Sequence, residues 1–186
     1  ATLTSGTTPE HTDEKVNNTD VCFIKTADIS RFGINYQTTS FINQDTHQNQ
    51  KRSTVETGDI LFCNTGKIGF TAMFNGILTH QGNITQNIVR IRVNENFKNK
   101  YSLFLLLYFN SKFCQEEINS LLTQTSQPYL NMGYLATLKL PKFSKKFIDK
   151  VSEKLKTIYD YDKQAIELIE QAKTYFIEKL SIQNNK

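Results

Sequence analysis

The sequence predicts an α+β fold, and three features of residue order predict it. Short apolar runs fenced by glycine and polar turns fill the front of the chain. Two apolar stretches with helical spacing follow, and from Ser144 to about Ile182 there is neither glycine nor proline. Strands need frequent turn punctuation, whereas a long unbroken stretch with apolar residues every three or four positions reads as helix.

Taken in order, Ile60 to Cys63 is a buried strand. Asn64-Thr65-Gly66-Lys67 is the tight connection after it, with Gly66 at φ > 0, and Ile68 and Phe70 to Phe74 begin the next strand. Gly58 to Lys67 lacks the Gly-Lys-Ser/Thr ending of a phosphate-cradling loop. Val89, Ile91 and Val93 alternate with Arg90 and Arg92, a half-buried strand whose other face carries two guanidiniums; phosphate contact and plain solubility both account for them. Tyr101 to Phe109 is one apolar helix, Ser111 an N-cap, and Phe113, Cys114, Ile118, Leu121 and Leu122 line a second. Thr123 to Pro128 is turn-forming, and Ala136, Leu138 and Leu140 form one face of a strand ended by Pro141.

Ser144 then caps the last helix. Its apolar residues fall at Ile148, Val151, Leu155, Ile158, Ala165, Ile169, Ala172 and Phe176, alternating by threes and fours with Asp162 at one apolar position. That is a coiled-coil seam. Such a helix is roughly 57 Å long, against a diameter of roughly 37 Å for a compact domain of the preceding residues. It should overhang, and an apolar seam left in water calls for a partner helix. Asp162 sets register, faces a basic partner or marks a local splay. The expected division is 1–143 as a globular domain and 144–186 as a helix.

Composition excludes several functions. The 186 residues carry a formal charge of +4, which permits a polyanionic partner without requiring one. Cys22, Cys63 and Cys114 are odd in number, far apart and set in apolar runs, as reduced core thiols of a cytoplasmic protein would be. Ala1 to Asp20 has no apolar core, and the longest apolar run, Leu103 to Phe109, is far short of the roughly 20 residues that span a bilayer. The chain opens without Met, which suggests a piece of a longer polypeptide or a processed chain. His11, His47 and His80 lie in polar loops, and no serine or cysteine stands in a nucleophile motif. Asp28, Asp45, Glu56 and Asp59 lack the context of a metal-dependent nuclease cluster. No catalytic residue, metal or cofactor is expected.

Five segments stand in order: Ser5-Gly6-Thr7-Thr8-Pro9, Phe23 to Ile29, Gly58 to Gly69, Thr85 to Arg92, and Pro128-Tyr129-Leu130-Asn131-Met132 before Leu138-Lys139-Leu140-Pro141. In that order and spacing the chain resembles one target recognition domain of the DNA specificity subunit of Type I restriction-modification systems, followed by its helical spacer. The resemblance implies a curved mixed β-sheet carrying DNA-reading loops, a small helical part and one long coiled-coil helix. The partners it implies are double-stranded DNA, a methyltransferase (modification) subunit and, through it, a restriction subunit, with a second spacer helix or a homodimer on the seam. Methyl transfer and cleavage would belong to those other subunits. Between Pro9 and Val21 an aromatic residue of the pattern is missing, so Ala1 to Asp20 is expected to dock loosely.

Base readout uses Arg or Lys on guanine and Asn or Gln on adenine, held on loops. The candidates are Gln48, Lys51 and Arg52; Asn64, Thr65 and Lys67 at the glycine-framed tip; and His80, Gln81, Asn83 and Gln86. Lys25, Thr26 and Arg31 are expected to position the DNA backbone, though Lys25 also reads as a strand-end charge. Two other readings remain open: a protein-only assembly module, and a recognition domain fused to its own methyltransferase.

Overall fold

The computed structural model describes residues 1–10, 21–122 and 128–184. The strands are β1 (Thr2–Ser5), β2 (Val21–Ile24), β3 (Ser40–Ile42), β4 (Thr54–Glu56), β5 (Ile60–Cys63), β6 (Thr71–Met73), β7 (Gln81–Ile84) and β8 (Ile88–Arg92). The helices are α1 (Gln44–Asn49), α2 (Lys98–Asn110), α3 (Lys112–Leu121), α4 (Met132–Thr137) and α5 (Lys145–Asn184).

The α+β class holds, with the strands divided between two sheets. One has the order β1-β8-β5-β6 and is antiparallel throughout; the other has the order β3-β2-β7-β4, with β2 and β7 parallel. Every residue of β5 is buried, because both faces of its sheet are covered. Ile60 and Phe62 pack with Val89, Ile91 and residues of α2, α3 and α4. Leu61 and Cys63 pack with Cys22, Ile24, Val55 and Ile84 of the other sheet. Three layers result: helices, first sheet, second sheet. Gly6 lets β1 leave the first sheet against the second, since a Cβ there would lie 2.0 Å from the Ile84 carbonyl oxygen.

Four expectations change. No strand forms at Ala136 to Leu140. The Asn131 side chain accepts from the Gly133 N–H at 2.6 Å and caps α4, whose Leu135 is buried, and an extended connection leads on to Pro141. Docking at the start of the chain is firm over β1, which pairs residue for residue with β8; residues 11–20, including His11, lie outside the described residues, as do 123–127 of the expected turn. His47 is not in an open loop but buried in α1. Finally, Arg90 and Arg92 are half-buried and tied to the protein itself. Arg92 makes two bonds to the buried Asp59, at 2.8 and 2.6 Å, and Arg90 donates to the Thr54 carbonyl and, at 3.2 Å, to Thr4 Oγ1, tying β8 to β4 and β1.

Ser144 Oγ accepts from the Phe147 N–H at 3.2 Å at the head of α5. The helix has 40 residues, about 60 Å at 1.5 Å per residue. It lies along the domain further than its length suggested. Ile148 and Ser152 are buried, Val151 and Leu155 half-buried, and the Tyr159 hydroxyl donates to the Phe32 carbonyl. Beyond them Ile166, Ile169 and Lys173 line an open cleft of about 640 Å³ with Ile34, Tyr36 and Leu78. Ile158, Ala165, Ala172 and Phe176 of the expected seam are exposed, and so is Asp162.

Candidate nucleic-acid interface

Strand direction collects several loops at one end of the sheets. β5 and β7 run toward this end, and β8 starts from it. Segments 6–8, 25–31, 64–69 and 85–87 therefore gather there. Gly66 and Gly69 both take positive φ, 71° and 81°, so the tip is a turn that only glycine adopts without strain at those places.

The tip is clamped from several sides. Lys67 Nζ donates to the carbonyls of Ala27 and Ile29, both at 2.8 Å. Thr65 bridges to Tyr129, and the Asn64 backbone bonds to Asn87 and Leu130. Thr26 lies beside Gly66. The turn around Thr26 is itself fixed by buried Asp28, whose carboxylate accepts from the Lys25 N–H and the Thr38 hydroxyl, both at 2.8 Å. Lys25 Nζ donates to Ser40 Oγ at 2.7 Å. Gln86 accepts from the Thr8 and Thr85 hydroxyls.

Arg31 is held at the rim. Its guanidinium carbon sits 4.6 Å from the centre of the Phe70 ring, and Nη2 donates to Gln115 Oε1 at 3.2 Å. Gln115 Nε2 in turn donates to the carbonyls of Gly69 at 3.0 Å and Phe109 at 2.6 Å. One side chain from α3 thus ties Arg31, the tip and the helical layer together.

The candidates from sequence do not form one patch. Thr26, Arg31, Thr65, Lys67 and Gln86 gather around the tip, with Lys25 just behind. Gln48, Lys51 and Arg52 are exposed, Gln48 on α1 and the other two beside β1, where Arg52 donates to Ser5 Oγ at 3.1 Å. His80 and Gln81 are exposed at the opposite end of β7. Asn83 and Asn64 are 0% and 1% exposed, so as folded neither amide offers an edge to a groove. Asn83 Oδ1 lies 2.5 Å from His47 Nδ1, and His47 Nε2 lies 3.1 Å from Gln81 Oε1, a polar ladder that pins α1 to β7. Lys67 is exposed, but its ammonium is held by two carbonyls, so it braces the tip. Sequence reasoning did not single out Gln115 or Phe70, and no local pattern marks them.

The charged and nucleophilic groups elsewhere are quiet. Burial, with Arg92 as a second cause, lowers the Arg90 guanidinium's pKa, while the hydrogen bond to Asp59 raises that of Arg92. Burial pushes the thiols of Cys22 and Cys114 up to about 11 and that of Cys63 to about 12, so each is a neutral core group at neutral pH. Among the described residues no group of His, Cys, Asp or Glu could hold a metal ion. Among them, too, no helix is long and apolar enough to cross a membrane.

No protein-family model matches the chain, and no curated protein matches it. Solved structures do. A chain from a structure on the complex assembly and conformational transition of the type I R-M system superposes with a TM-score of 0.57 at 13% identity, covering 96% of this chain and 40% of that one. The crystal structure of the HsdS subunit from Thermoanaerobacter tengcongensis aligns at a TM-score of 0.44 and 13% identity, over 92% of this chain and 40% of that one. The chain thus spans well under half the length of each.

Proposed function

We propose that this chain recognises a DNA sequence as part of the specificity component of a Type I restriction-modification complex. Residues 1–143 read the duplex and 144–186 serve as spacer. The chain itself carries no chemistry and works in the cytoplasm, where its thiols stay reduced. A separate methyltransferase subunit, and through it a restriction subunit, acts where it directs them. One observation supports the reading: the fold likeness to a type I R-M chain runs over 96% of the residues. The clamped polar tip at the end of the sheets adds a surface suited to a groove.

For the spacer we propose antiparallel pairing with a second spacer helix, in a longer subunit or in a second copy of this chain. Such pairing, centred between Tyr161 and Asp162, sets Phe147 against Phe176, Val151 against Ala172 and Ile158 against Ala165 on one face of each helix. Lys150 falls opposite Lys173 beside this seam, so the pairing rests on apolar cover and not on charge. The geometry covers the distal apolar residues that the chain's own domain leaves exposed.

Duplex binding measured across a salt series tests the first part. Binding should weaken steeply with salt, each true phosphate contact contributing roughly 0.9 to the log-log slope. Lys51→Ala with Arg52→Ala should lower that slope if the β1 edge lies on the backbone. A folded chain with no affinity for duplex DNA overturns the reading and leaves a protein-only assembly module. Methylome sequencing of a host carrying the intact gene then gives the motif.

A further inference from the structure

We propose that Arg31 reads a guanine edge, with Phe70 and Gln115 as the residues that position it. The proposal rests on the DNA-recognition reading above and names the base chemistry at that same site.

Elimination among the arginines comes first. The chain has Arg31, Arg52, Arg90 and Arg92. Arg90 and Arg92 are tied inside the fold, to the Thr54 carbonyl and to Asp59. Arg52 lies along the β1 edge against Ser5, whereas Arg31 alone stands at the rim of the tip. Guanine presents two acceptors, O6 and N7, to the major groove, and the planar guanidinium matches both at once; a lysine ammonium is a point charge without that fork.

Preorganisation is the second argument. An exposed arginine ordinarily samples many rotamers and must lose that freedom on binding. Arg31 has its plane set over Phe70 and one amino group set by Gln115, so its direction is fixed before DNA arrives. Gln115 uses both its oxygen and its nitrogen for this, reaching the Gly69 and Phe109 carbonyls behind the tip.

Backbone strain at the next residue is the third. Phe32 takes φ 70°, a left-handed conformation that a bulky side chain rarely adopts. The surroundings enforce it: Phe32 N–H donates to the Thr71 carbonyl at 3.0 Å, and the Phe32 carbonyl accepts the Tyr159 hydroxyl of α5. Strain held from both sides next to an exposed, oriented arginine is the pattern of a functional loop. It also places the spacer helix one hydrogen bond from the reading loop.

Selection of bound duplexes from a randomised library, followed by competition at single positions, tests the proposal. The probes are the wild-type chain, Arg31→Lys, Arg31→Ala and Gln115→Ala, each checked for an unchanged melting transition. Wild type should select a motif containing a required guanine. Arg31→Lys keeps charge and stem, and should keep the salt slope and the rest of the motif while losing roughly 5- to 150-fold discrimination at that one base pair. Arg31→Ala should lose it likewise, and Gln115→Ala should lose part of it at the same base pair. Because Arg31→Lys preserves the packing of the stem, it decides the question even where Arg31→Ala unfolds. A motif unchanged in Arg31→Lys overturns the role of Arg31 and leaves DNA recognition standing. A wild type that binds duplexes with no preferred motif, or not at all, overturns the underlying reading and this proposal with it.

Discussion

The two halves of α5 carry similar apolar spacing and meet different fates. In the proximal half Ile148 is 6% exposed and Ser152 7%, whereas in the distal half Ile169 is 46%, Phe176 64% and Ile177 62% exposed. The difference is partly one of reach, since the helix outlasts the layer it packs on. It is also one of period. A seam repeating every 3.5 residues drifts about 20° per heptad around a straight helix of 3.6 residues per turn. A stripe that faces the domain at Ile148 has therefore turned well off it by Phe176. A second helix supercoiled on α5 can follow that drift, and the sheet cannot.

The sharpest way to break this comparison is to charge the distal half. Ile169→Glu with Phe176→Glu should leave the unfolding of the monomer within about 0.5 kcal/mol of wild type, as exposed positions do. The same pair should weaken association by more than about 100-fold, because each buried apolar side chain lost forfeits roughly 1.5–3 kcal/mol. Light scattering across a concentration series reads it, and a wild type that is strictly monomeric with an ordered distal helix defeats the partner argument.

The proximal half should respond in the opposite sense. Ile148→Ala creates a cavity against the domain and should cost roughly 2–4 kcal/mol in denaturant unfolding, while association of the folded protein changes little. A loss below 0.5 kcal/mol would mean that the head of α5 is not docked as described.

A smaller effect isolates one bond between helix and domain. Tyr159→Phe removes the hydroxyl donated to the Phe32 carbonyl and should cost about 1 kcal/mol. If the strained loop depends on that bond, hydrogen exchange at Phe32 and its neighbours accelerates in the variant. Equal exchange rates in the two proteins would uncouple the helix from the loop.

Alkaline pH gives the smallest and most specific shift. Burial raises the Tyr159 phenol above its ordinary 10.0, so in the folded chain it stays neutral where the unfolded chain has already lost its proton. The unfolded state then binds fewer protons, and stability must fall as pH rises above about 10. Tyr159→Phe lacks this contribution and should show a shallower decline between pH 10 and 11. Parallel curves for the two proteins would contradict the burial of that ring.

Some of this could be read from local order alone. The β5 run, the positive φ at Gly66, the Ser111 and Ser144 caps, the buried thiols and the long α5 all follow from neighbours a few residues apart, because strand alternation, turn chemistry and capping are short-range physics. Spacing misled at Ala136 to Leu140, where the Asn131 cap and a buried Leu135 draw Ala136 and Thr137 into α4 and leave the rest an unpaired connection.

What tertiary structure alone decided is which polar groups are left for a partner. In sequence Asn83, His47, Arg92 and Lys67 look as available as Arg31 and Gln86. Folding sets Asn83 against His47, Arg92 against Asp59 and Lys67 against two carbonyls, and leaves Arg31 oriented at the rim by a glutamine 84 residues away. A buried polar group must find a partner, and that partner is chosen by strand order and layer packing rather than by sequence distance. The residues of this chain determined its elements; how those elements were stacked determined which side chains remained to face anything else.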